Sequence, residues 1–107
     1  MELIDLKILN KHLSKNKGNL RLRRDVDKLK ILLRDNNFNS YQELKKVRKD
    51  ADNVHEEVAF FFNIHSHRIL VQIDFEHYKA IILWVRNHNR YDRFFSGGKR
   101  AIKKLLI

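Results

Sequence analysis

Apolar residues recur with two different periods along the chain, and the change falls near residue 50. Before it, they return every three or four positions, which is the spacing of one face of a helix. This pattern predicts helices in 6–15, 19–37 and 40–49. Ser40, followed three residues later by Glu43, has the spacing of a capping box and predicts the start of the third helix.

After residue 53 the period becomes that of β-strands. Short runs rich in β-branched and aromatic residues predict three strands, in 58–64, 68–75 and 80–85. The connections between them are short, which is typical of antiparallel neighbours. The basic segment 99–107 predicts a final short helix. The chain is therefore expected to form one α+β domain over 1–107, with N-terminal helices packed on one face of a small antiparallel sheet and a short C-terminal helix.

Alternation along the strands separates two faces of this sheet. One set is almost wholly apolar and should take the helices. The other set mixes cations, amides and large aromatic rings: Ala59, Phe61, Asn63, Arg68, Leu70, Gln72, Asp74, Ala80, Ile82, Trp84 and Arg86. Periodicity alone favours a half-solvated outer face for this second set.

The charge of the chain changes this interpretation. There are 23 Lys and Arg against 13 Asp and Glu, a formal net charge of +10 in 107 residues. Residues 7–34 contain ten cations against two aspartates, and residues 86–107 contain seven against one. Such an excess favours a polyanionic partner, either nucleic acid or an acidic protein.

The absence of cysteine excludes disulfides, thiolate catalysis and cysteine-ligated zinc. His65 and His67 form a His-x-His pair, but they fall in a tight hairpin turn, so we predict no metal site and no cofactor. The longest apolar run, 80–85, is far too short to span a membrane. We therefore expect a cytoplasmic protein that has no membrane partner.

Residues with proton-transfer and RNA-binding chemistry crowd the end of the last predicted strand. His88 is the side chain best suited to proton transfer near neutral pH, and it lies between Arg86 and Arg90. Arg68 and Arg86 share a face by alternation, so their guanidinium groups are candidates to hold one phosphate. Tyr91 is a candidate to stack on a base or to orient a proton donor.

Residues 40–95 resemble the HigB toxins of bacterial toxin–antitoxin pairs, which belong to the RelE-like group of mRNA interferases. The most specific part is an apolar strand that ends in an Asn-His pair followed by Tyr-Asp, here in 87–92, and Arg68 after the preceding hairpin turn is a second match. The resemblance implies an open concave face that holds RNA, cleavage of mRNA on the ribosome, and neutralisation by a HigA-like helix-turn-helix antitoxin. Ala59 and Phe61 stand where relatives often carry lysines, so the general base stays unassigned.

The resemblance and the residue chemistry together predict an endoribonuclease. Its catalytic residues are predicted to be His88, Arg68 and Tyr91. The predicted RNA-binding residues are Arg86, Arg90, Arg93, Trp84, Phe61, Lys99 and Arg100. Two other functions fit the same residues: a noncatalytic RNA- or DNA-binding module, and a protein-interaction domain.

Overall fold

The structure, a computed structural model, describes residues 1–87 and 99–106. The described residues form five strands and four helices, in the order β1 (Glu2–Ile4), α1 (Leu6–Lys15), α2 (Leu20–Arg34), α3 (Tyr41–Val47), β2 (Asp52–His55), β3 (Ala59–Ile64), β4 (His67–Asp74), β5 (Lys79–Asn87) and α4 (Lys99–Leu105). None of the helices in these two ranges has the length and apolar character needed to cross a membrane.

The strands form one sheet in the order β1-β5-β4-β3-β2. The pairs among β2, β3, β4 and β5 are antiparallel, whereas β1 runs parallel to β5. The predicted α+β fold is confirmed, including the N-terminal helices on one face and the short C-terminal helix. The sheet is mixed, however, because the first strand, β1, pairs in parallel with the last strand, β5. The pattern did not predict β1 or β2, since three or four residues are too few to show a period.

Side-chain caps explain where two of the helices begin. Asn19 Oδ1 accepts a hydrogen bond from the backbone N–H of Leu22 at 3.0 Å, at the start of α2. Ser40 Oγ accepts one from the N–H of Glu43 at 3.3 Å, and Glu43 Oε2 accepts one from the N–H of Asn39 at 2.5 Å. The predicted cap is therefore present, with the glutamate bonded one residue before the position usual in a capping box.

A two-residue turn joins β3 to β4. Ile64 and His67 are paired residues, and the two residues between them, His65 and Ser66, have positive φ angles of 32° and 64°. Two consecutive positive φ angles are typical of the type I′ turn, whose twist matches that of the flanking strands. Arg68 is thereby placed one residue into β4, opposite Asn63.

A β-bulge in β5 changes the face on which some residues lie. The pairing passes from Leu70–Trp84 to Val71–Ile82 and skips Leu83. Ala80 and Ile82 consequently belong to the core under the helices, whereas Leu83 packs on the opposite face. The sequence-based assignment of Ala80 and Ile82 to the outer face is wrong because simple alternation does not allow for an inserted residue.

The two faces of the sheet carry separate apolar clusters. The larger lies between the sheet and the N-terminal helices and includes Leu9, Leu22, Leu29, Leu33, Leu44, Phe60, Phe62, Ile69, Val71 and Val85. The smaller lies on the other face, which we call the outer face. It contains Ala59, Phe61, Leu70, Trp84 and Ile102, with Val54, Leu83, Leu105 and Leu106 at its edge. Because Ile102 and Leu105 belong to α4, this helix covers part of the outer face.

The cap at Ser40 provides a test of the local structure. Replacing Ser40 with Ala removes the acceptor for the Glu43 N–H and should lower the free energy of unfolding by about 1 kcal/mol. Ser14→Ala is the matched control, because Ser14 is exposed within α1 and should tolerate alanine without loss. Urea unfolding of the two variants and the wild type measures the difference. Equal stability of the two variants would contradict the cap.

Candidate nucleic-acid interface

Several predicted site residues follow β5 or begin α4. His88, Arg90, Tyr91 and Arg93 lie outside the described residues. The backbone of Lys99 and Arg100 forms the first turn of α4, but their side chains also lie outside the description. The roles of these six residues therefore stay predictions. The structure does place the strand end at Asn87, immediately before His88 in the chain.

Arg68 and Arg86 are brought together as predicted. They are directly opposite one another in the pairing of β4 with β5. By alternation their Cβ atoms lie on the outer face, next to the Leu70–Trp84 pair. Arg86 Nη1 donates a hydrogen bond to the carbonyl of Val85 at 2.6 Å, so its side chain bends back along its own strand.

Phe61 and Trp84 also lie together on the outer face, but they are not exposed. Their rings meet edge to face, with centroids 6.2 Å apart at an interplanar angle of 82°. Only 1% of Phe61 and 5% of Trp84 is exposed, and both belong to the cluster that Ile102 of α4 completes. Their predicted role in RNA binding stays a prediction, and in this arrangement both rings are covered. Stacking on RNA bases would require displacement of the groups that cover them.

A cavity of about 460 Å³ lies between α1 and the last residues of β5. The described residues that line it are Ile8, Lys11, His12, Lys15, Asn16, His67, Arg86 and Asn87. Sequence reasoning did not single out this site. The available signal was His12, a polar residue at a position of α1 where the helical spacing of Leu9 and Leu13 demands burial.

The two histidines of the cavity pack against each other. The rings of His12 and His67 meet edge to face with centroids 5.0 Å apart. His67 Nδ1 lies 2.9 Å from the carbonyl oxygen of His65. Since a carbonyl only accepts, Nδ1 carries the proton, and in the neutral ring Nε2 is then an acceptor. The pair predicted to sit in the hairpin turn is thus divided, with His67 turned towards α1.

His12 is held uncharged by its surroundings. The residue is 9% exposed, and its Nε2 atom is buried without a hydrogen-bond partner among the described residues. Burial, followed by the charges of His67, Arg86 and Lys15, lowers the pKa of His12 from 6.5 to about 4. The imidazole therefore stays neutral at physiological pH, with the cations Arg86 and Lys15 nearby.

The described residues do not assemble a metal site. No three His, Cys, Asp or Glu side chains within 1–87 and 99–106 lie close enough together to hold an ion. His77 contacts Asp74, with Nδ1 2.8 Å from Oδ2. Hydrogen bonds from the backbone and side chain of His77 lower the pKa of Asp74.

The lowered pKa of His12 should make stability depend on pH. Between pH 6.5 and 4 the unfolded chain binds a proton at His12 that the folded chain does not, so the free energy of unfolding should fall as pH drops through this window. The full shift corresponds to at most about 3 kcal/mol, and screening at the open cavity should reduce it to about 1–2 kcal/mol. Urea unfolding at the two ends of the window should show this loss in the wild type and a smaller loss in His12→Leu. Identical losses would contradict it.

Comparison with known proteins bears directly on this site. A family model described as HigB_toxin, RelE-like toxic component of a toxin-antitoxin system, matches residues 23–94. The match covers more than half of the chain and contains Arg68, Arg86, His88 and Tyr91. A search of curated proteins found no match. The family match and the α+β fold agree with the resemblance carried by residues 87–92, and the chain belongs to the HigB toxin family, the RelE-like toxic components of toxin–antitoxin systems.

Proposed function

We propose that this toxin is a ribosome-associated, metal-independent endoribonuclease that cleaves mRNA in the cytoplasm. Family membership implies a ribonuclease-type activity in general and an antitoxin partner. The observation that supports the finer assignment is the β4–β5 register. It sets Arg68 opposite Arg86 at the point where the chain continues into His88.

RNA cleavage at this site requires three actions around one phosphate. A base takes the proton of the 2′-hydroxyl, whose oxygen attacks phosphorus. Cations stabilise the charge that develops on the phosphoryl oxygens, and an acid protonates the leaving 5′-oxygen as its bond to phosphorus breaks. We assign proton transfer to His88 and charge stabilisation to Arg68. Tyr91 stacks on a base or orients the proton donor.

Further cations of the basic segment are proposed to contribute to RNA binding. Arg86 lies opposite Arg68, and Arg90, Arg93, Lys99 and Arg100 follow in the basic segment from residue 86. Phosphate contacts of this kind supply affinity without reading sequence, which suits an enzyme that meets many different mRNAs. Phe61 and Trp84 add base stacking only if the groups that cover them move away.

The antitoxin partner is proposed to be a HigA-like helix-turn-helix protein. It neutralises the toxin by covering the basic surface or the outer face. The net charge of +10 favours a partner segment with complementary negative charge, and such complementarity accelerates association at low salt.

Substitutions at His88 and Arg68 test the catalytic assignment. His88→Ala removes proton transfer and should reduce the rate of cleavage by about 10²–10⁴. Arg68→Ala should cost a similar factor, because a well-placed cation acts on the transition state. Tyr91→Phe should cost less if the ring stacks, and nearly as much as His88→Ala if its hydroxyl is required. The assay is mRNA cleavage on translating ribosomes, with ribosome binding and thermal melts of each variant.

Arg21→Ala is the matched control for Arg68→Ala, because Arg21 is an exposed cation on α2. It removes the same charge and should leave cleavage unchanged. Full cleavage by a folded His88→Ala/Arg68→Ala variant would refute the assignment of the site. A wild-type protein that binds ribosomes but cuts no mRNA would favour the noncatalytic module.

Neutralisation by the antitoxin can be tested in cells. Co-expression of the toxin with the reading frame beside its gene should restore growth and give a complex that can be purified. The association rate should fall as salt concentration rises, since screening weakens electrostatic steering. Absence of both a complex and growth rescue would contradict the proposed partner.

A further inference from the structure

We propose that the cavity between α1 and the end of β5 is a second RNA-binding subsite, which holds a backbone phosphate next to the one bound at Arg68 and Arg86. The subsite consists of Lys11 and Lys15 from α1 with Arg86 and Asn87 from β5. The proposal deepens the proposed function and rests on it for the choice of RNA as ligand.

The charges around the cavity select an anion. Lys11 and Lys15 are one helical turn apart on α1, and Arg86 contributes a third cation from the sheet. The described residues that line the cavity include neither aspartate nor glutamate. Positive charges around a concave, partly apolar surface focus their electric field into it and raise the local concentration of anions. Phosphate is the anion that lysine and arginine side chains bind together most commonly in RNA-binding proteins.

One buried polar atom of a residue that lines the cavity makes no hydrogen bond within the described part of the fold. His12 Nε2 has no hydrogen-bond partner among the described residues. The neutral imidazole of His12 has one N–H that can donate to a ligand without adding charge, whereas the N–H of His67 already bonds to the carbonyl of His65. The volume of about 460 Å³ falls within the range of small-molecule sites and exceeds the needs of a bare phosphate. It has room for part of a nucleotide as well.

Arg86 makes the cavity continuous with the proposed cleavage site. It lines the cavity and is also the paired residue of Arg68. A ligand with phosphates at regular intervals can contact both places at once, whereas a single free phosphate can occupy only one. This continuity favours an RNA backbone over a small anion as the occupant.

A pair of charge-matched double variants tests the subsite. Lys11→Gln/Lys15→Gln removes two cations from the cavity, and Lys28→Gln/Lys46→Gln removes two exposed cations that do not line it. The probe is a short labelled single-stranded RNA with methylated 2′-hydroxyls, which cannot be cleaved by 2′-oxygen attack. Its dissociation constant is measured by fluorescence anisotropy over a series of salt concentrations.

The cavity variant should bind the probe about tenfold more weakly, the effect of losing roughly one charge-assisted hydrogen bond. The slope of log K against log salt should decrease in magnitude by about 0.7 for each phosphate that the variant no longer neutralises. The control variant should lose clearly less affinity, although its net charge falls equally. Equal losses in the two variants would overturn the subsite, since only the total charge would then matter.

The imidazole NMR signals of His12 and His67 identify what enters the cavity. The RNA probe should shift both signals in the wild type and neither in the cavity variant. Inorganic phosphate should shift them only at much higher concentration. If the RNA probe and inorganic phosphate shift the signals equally at the same phosphate concentration, the occupant is a small anion and the proposed RNA subsite is wrong. Shifts caused by poly-glutamate but not by the RNA probe would overturn the proposal in favour of an acidic protein segment.

Failure of the subsite can be told apart from failure of the proposed function. If the wild type cuts mRNA on ribosomes while the two double variants bind the probe alike, the subsite is wrong and the function stands. If the wild type cuts no mRNA but the cavity variant alone loses affinity, the function is wrong and the RNA-binding subsite stands.

Discussion

Pairing of β4 with β5 is the interaction on which the rest of the candidate site depends. It sets two arginines opposite each other, and it ends at Asn87, from which the chain enters the motif of residues 87–92. On its other side, β5 pairs with β1 only over Lys79–Ile81, and α1 packs against β5. Among the described residues, helix α1 borders the cavity at the end of β5.

The outer face shows how a patterned surface can be interpreted in two ways. Its mixture of cations and rings suggested an open, half-solvated face, but in the structure the rings are buried. Arg68 and Arg86 lie towards the end of the β4–β5 pair, whereas Phe61, Leu70 and Trp84 form a buried cluster with Ile102. Aromatic rings at strand positions are therefore weak evidence for nucleic-acid binding, because a helix from the C-terminal end of the chain can cover them.

Most of the fold was accessible from the sequence because its helices and longer strands carry strong periods. The helix start at Ser40 followed from local hydrogen-bonding chemistry. The features that the sequence did not predict depend on pairing between distant parts of the chain. The bulge at Leu83 moved Ala80 and Ile82 to the helix side, and no local rule reveals an inserted residue. The parallel pairing of β1 depends on a contact between residues almost eighty positions apart.

The candidate site was predictable in part for the same reason. Arg68 and Arg86 came together because alternation and a short turn suffice to align neighbouring strands. The cavity was not foreseen, since it combines Lys11, His12 and Lys15 of the first helix with residues more than fifty positions later. The predicted roles of the residues after Asn87 depend on the motif and the family match. The structure adds only the position of Asn87, from which this segment continues.

The two-residue turn between β3 and β4 limits how this chain can change length. Side chains on a strand alternate between faces, so one residue inserted at His65–Ser66 without a compensating bulge would shift Arg68 to the side of the helices and Ile69 to the outer face. Loss of a residue would have the same effect and would also destroy the tight turn. Insertions and deletions are better tolerated in the connection from α2 to α3, where no strand register follows directly. Length variation among homologous chains should accordingly concentrate there, while the spacing from β3 to Arg68 stays constant.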